Sequence, residues 1–171
     1  MDLDKVNRKN IIIGVLLNIV STVAFSVIVY FMLQKGEIQQ KTAGSDATNF
    51  LYVLIAVSVI EILTAIFLRK KMYFGPTIKS KENFQKDFEE RAFIVAIVLS
   101  AFAVAIAVYG LILFFMTHNP LIFICFAAVS ILFFLYIRPK YTLLQDSLAR
   151  QEQLVDEQRF YNEKDPFSIL K

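Results

Sequence analysis

Four long apolar blocks govern what this chain can fold into. Ile11–Leu33, Phe50–Leu68, Ala92–Met116 and Leu121–Ile137 hold one charged residue among them, Glu61. A helix of about 20 residues, rising 1.5 Å per residue, matches a hydrocarbon core of about 30 Å. Membrane strands would instead show segments of about ten residues alternating apolar with polar, and none of the blocks alternates. The fold class expected is all-α: an integral membrane four-helix protein with spans at about 11–33, 50–68, 92–116 and 121–137. A short interfacial helix should precede the third span, and a cytoplasmic helical tail over 141–171 should follow the four-span domain of 1–140. Composition points the same way, because 57% hydrophobic residues and 17 Phe in 171 positions exceed what a soluble domain of this size can cover.

Lys5, Arg8 and Lys9 precede the first block and resemble the charged start of a secretory signal. The apolar part of such a signal runs for about 7–15 residues, whereas this block continues to Leu33, so a retained first helix is expected. Asn18, Ser21, Thr22 and Ser26 share one side of it by their spacing and should face protein. Gln34–Asn49 reads as a loop without a motif. Arg69-Lys70-Lys71 ends the second span, and Gly75-Pro76 breaks any continuation. After Ser80, a candidate N-cap, Phe84 and Phe88 lie one turn apart on an amphipathic stretch, and the pair is expected to rest on the membrane interface or on the C-terminal tail, the interface being the plainer reading. Thr117-His118-Asn119-Pro120 is long enough for a tight helical turn, with Pro120 in the first turn of the next helix. Arg138-Pro139-Lys140 closes the fourth span. Tyr141–Glu163 should form a helix outside the membrane with an Asp146–Arg150 surface pair, and Asp165–Leu170 should fray.

Along the third block Ala92, Ala96, Ser100, Ala103, Ala107 and Gly110 recur at spacings of four and three, which gathers the small side chains on one helical face. Such a face admits another helix closely. It is expected to pack against a partner, so that Ala103→Leu or Ala107→Leu disturbs association.

Charge sets the expected orientation. Lys5, Arg8, Lys9, Arg69, Lys70, Lys71, Lys79, Lys81, Lys86, Arg91, Arg138, Lys140, Arg150, Arg159, Lys164 and Lys171 fall on one side, and only Lys35 and Lys41 on the other. By the positive-inside rule both termini are cytoplasmic, in a cell inner (cytoplasmic) membrane. The net charge of +3 follows from that orientation and does not call for nucleic acid.

Glu61 needs an explanation, since an ionised group at mid-bilayer costs about 2.5–3.5 kcal/mol on insertion scales. Two readings compete: a protonated polar contact that fixes helix pairing, with Asn18, Ser21 or Thr22 as partner, or a carboxylate that carries a proton or cation. The lone His118 lies in the outer turn, and the lone Cys125 reads as a small packing residue that excludes an intramolecular disulfide. No catalytic triad, phosphate loop, metal-ligand cluster or cofactor motif occurs, so enzymatic activity, metal and cofactor are not expected.

The stretch Phe102-Ala103-Val104-Ala105-Ile106-Ala107-Val108-Tyr109-Gly110-Leu111-Ile112-Leu113 resembles the ion-carrying helix of rotary ATPase proteolipids, the c-subunit family. The second hairpin is also similar to bacterial four-span membrane proteins that share an alanine-rich helix, a short turn and a final span ending in Pro beside a basic residue. The resemblance implies a close-packed hairpin. The family's carboxylate, six positions before the Gly, falls at Val104, and the first span has only Gly14 in place of a glycine repeat. A ring-forming rotary subunit is therefore not expected. The function expected is a structural or accessory component of a membrane assembly, with lipid and other membrane subunits or further copies as partners. The alternative is a proton- or cation-coupled function centred on Glu61.

Overall fold

The computed structural model describes residues 2–34, 45–76, 78 and 81–157. Helix α1 (Leu3–Val15) passes through a π-helical turn (Leu16–Val20) into α2 (Ser21–Gln34), giving one continuous rod. Then come α3 (Ser45–Phe74), α4 (Phe84–Thr117), α5 (Pro120–Ile137) and α6 (Tyr141–Asp156), and no strand occurs among the described residues. Four helices are long and apolar enough to cross a membrane: the α1–α2 rod, α3, α4 and α5. The helices outrun the apolar blocks. The first begins at Leu3, where Asp2 caps it by accepting from the Lys5 backbone N–H at 3.1 Å. The stretch expected as an interfacial helix is the start of α4 itself, entered from Asn83. Ser80, Lys35, Lys41 and the terminal Asp165–Leu170 segment lie outside the described residues.

Helix α4 is the centre of the bundle, packing against the first rod, α3 and α5. Lys9 lies over the Phe93 ring at 5.2 Å and Gly14 adjoins Ser100, so the first rod runs parallel to α4. Tyr109 meets Glu61, and Arg69 donates to the Tyr136 carbonyl at 3.4 Å, which sets α3 antiparallel to α4 and alongside α5. The six small residues of that one face of α4 are buried: Ala92, Ala96, Ser100, Ala103, Ala107 and Gly110. What covers them is the chain itself. A Cβ on Gly110 would come within 2.5 Å of Phe126 Cβ on α5, and one on Gly14 within 2.7 Å of Phe134 Cε2 and 3.1 Å of Ser100 Oγ. Helices α1 and α5 of the same chain thus occupy the face that the sequence offered to a partner.

The turn between α4 and α5 satisfies its own backbone. His118 takes a left-handed conformation (φ 54°), and its N–H donates to the Phe114 carbonyl at 2.7 Å, closing α4. Asn119 caps α5 by accepting from the Leu121 N–H at 3.0 Å, with Pro120 as the first helical residue. Cys125 is exposed on the outer flank of α5, not packed as expected.

At the other end α6 folds back under the bundle and packs on both α1 and α3. Its stripe of Leu144, Ser147, Gln151, Leu154 and Val155 is buried. Ser147 Oγ donates to the Tyr73 carbonyl at 2.6 Å, and Gln151 Nε2 donates to the Gly75 carbonyl at 2.7 Å and the Tyr73 carbonyl at 3.3 Å. These bonds occupy carbonyls that the last turn of α3 leaves unpaired. Phe84 and Phe88 stack at 6.5 Å, and Phe88 belongs to a buried cluster with Ile78 and Val155. The aromatic pair thus rests on the tail helix, the second of the two places the sequence left open to it. Arg150 donates to Gln153 Oε1 at 2.7 Å instead of pairing with Asp146.

Candidate functional site

Two polar centres lie within the long apolar helices, on different sides of α4. The first is built around Asn18, which is fully buried in the π-turn. Asn18 Nδ2 donates to Ser130 Oγ on α5 at 3.1 Å, and Ser130 Oγ donates to the Ala103 carbonyl on α4 at 2.6 Å. Because the single hydroxyl hydrogen of Ser130 goes to that carbonyl, its oxygen can only accept from Asn18, which fixes the amide's orientation. The chain of bonds ties three helices together. Thr22 is also buried, and its hydroxyl donates to the Asn18 carbonyl at 2.8 Å, occupying an acceptor in the irregular turn. Ser21 is half-buried, and its backbone N–H reaches the same carbonyl. Asn18 Oδ1 is buried without a hydrogen-bond partner. Replacing Ser130 by Ala removes both bonds at the centre of the bundle, and should lower stability by about 1 kcal/mol, read from unfolding midpoints in detergent.

The second centre is the seam between α3 and α4. Tyr109 Oη donates to Glu61 Oε1 at 2.6 Å, while Glu61 Oε2 is shielded and has no hydrogen-bond partner. Glu61 does not reach Asn18, Ser21 or Thr22 as the sequence anticipated, because the first rod and α3 approach α4 from different directions. Along α3, Ser58 is buried and donates to the Leu54 carbonyl at 2.8 Å, Glu61 is half-exposed and Thr64 is exposed.

Among the described residues no group of three or more His, Cys, Asp or Glu gathers to hold a metal. No family model, curated protein or solved structure matches this chain. The centres must be understood from their own chemistry.

Sequence reasoning marked Glu61 and Asn18 but missed Ser130 and the pairing of Tyr109 with Glu61. Ser130 had a signal, being the only Ser or Thr in the fourth apolar block. Tyr109 had none beyond its depth in a span, since helix rotation decides whether a phenol faces lipid or a neighbour.

Proposed function

We propose that this chain is a multi-pass membrane protein of the cell inner membrane, without enzymatic activity, that serves as a structural or accessory component of a membrane assembly. Both termini lie on the cytoplasmic side in this reading, following the excess of Lys and Arg at that end. The observation that carries it concerns α3. In its most apolar stretch only 17% of residues are buried, as in the first rod, against 44% in α4, and Thr64 stands exposed on that flank near the partly exposed Glu61. Polar groups at membrane depth face protein far more often than lipid. The small-residue face of α4 and the apolar stripe of α6 are covered within the chain, which leaves the flank of α3 as the contact surface in this reading.

The test uses photo-crosslinking amino acids placed at Ile60 and Leu63, both exposed, in protein extracted with its native lipids. Protein adducts and a particle heavier than one 19.6 kDa chain are expected. A particle of single-chain mass with lipid adducts alone would reject the reading.

A further inference from the structure

We propose that Glu61 and Tyr109 form a reversible proton-binding site at membrane depth, in the seam between α3 and α4. The site stands on intramolecular geometry and needs no neighbouring subunit. Ionised, the carboxyl shares its charge between two oxygens, and only Oε1 has a donor, the Tyr109 hydroxyl at 2.6 Å. Oε2 is shielded and has no hydrogen-bond partner. A proton that adds to Oε2 removes the charge and turns that oxygen into a hydroxyl. Oε1 becomes the carbonyl oxygen and keeps accepting from Tyr109, so neither helix has to move. On release the electron pair of the O–H bond stays on the carboxylate, and the phenol still holds it.

The surroundings select a proton over a metal cation. Hard cations such as calcium gather about 6–8 oxygens. Here the carboxyl has one phenol, the nearby Ser58 hydroxyl is turned to the Leu54 carbonyl, and Thr64 is exposed on the outer flank. Among the described residues of α3, α4 and α5, no acid or base other than Tyr109 faces Glu61. Helix α4 carries no Asp, Glu, Lys or Arg between Arg91 and Thr117, and α5 carries none. The nearest charge on α3 is Arg69, two turns or about 12 Å further along, where it reaches the Tyr136 carbonyl. Tyr109 is therefore a positioning residue, and Glu61 is the group that binds.

The experiment is infrared spectroscopy of the full chain in lipid nanodiscs across a pH series. A protonated-carboxyl C=O band should be present, fade as pH rises and vanish in Glu61→Gln. In Tyr109→Phe the band should persist at higher frequency, because the carbonyl has lost its donor. A band that ignores pH, survives Glu61→Gln or keeps its position in Tyr109→Phe would overturn the site. Should Glu61→Gln fail to fold, a hydrophobic carbodiimide supplies a second reading on the natural protein, with mass spectrometry locating the product. Modification at Glu61, about threefold faster in Tyr109→Phe, supports the site. An unmodified Glu61 beside modified surface carboxyls rejects it.

Discussion

Gly110→Val is expected to destabilise the folded chain by about 3 kcal/mol, the upper part of the range for overpacking a tight interior. A Cβ at this position would stand 2.5 Å from Phe126 Cβ and 3.3 Å from the Phe123 carbonyl oxygen. Neither atom belongs to the free end of a flexible side chain, so relief requires α4 and α5 to separate. Separation would also pull Ser130 from the Ala103 carbonyl, at 2.6 Å, seven residues along α4 on the same face. Helix propensity opposes the loss weakly, since Gly is about 1 kcal/mol worse than Ala in a helix and Val recovers only part of that. Unfolding midpoints in mixed detergent measure the effect. A variant with unchanged stability but altered association would return the small-residue face to an intermolecular role.

The second large effect concerns the helix beneath the bundle. Leu144→Asp should detach α6 and raise amide exchange across Tyr141–Asp156 at least about a hundredfold, with α4 and α5 unchanged. Leu144 is fully buried in the main apolar cluster with Tyr73 and Ile137, so the change forfeits about 2–3 kcal/mol of burial. It also places a carboxylate inside an apolar cluster, and the helix escapes that cost by leaving. Departure removes the donors of Ser147 and Gln151 from the Tyr73 and Gly75 carbonyls. The end of α3 should therefore lose protection together with α6, a linkage that simple fraying of a tail would not produce. Hydrogen exchange read by mass spectrometry checks both segments at once.

The spans were legible in the sequence because the length and polarity of an apolar block belong to one segment alone. Their ends were less so: α4 begins at Phe84 and the first rod at Leu3, since helix continues through polar turns wherever packing and caps permit. Contacts between segments were the hard part. The spacing of Ala96, Ser100, Ala103, Ala107 and Gly110 announced a close approach, but spacing is silent on whether the approaching helix belongs to the same chain. Glu61 drew attention as the lone acid at depth, yet its partner depends on the rotation of α3 against α4. The tail was readable as a helix, while the docking of its Leu144, Gln151 and Leu154 stripe on the end of α3 required the fold.

The π-turn at Leu16–Val20 acts on the first rod as a phase correction. Val6, Asn10, Gly14, Asn18 and Thr22 are all buried and recur every fourth residue. In a uniform α-helix of about 100° per residue, each such step overshoots a full circle by about 40°. Val6 and Thr22 would then point about 160° apart. The wider turn absorbs much of that drift, roughly as one inserted residue would, and lets both halves of the rod address α4. Winding the same residues as an even α-helix would swing one half by about 100° against the other. Either Asn10 and Gly14 or Thr22 and Val29 would then face outward, so the rod's reading frame is set in space by five residues.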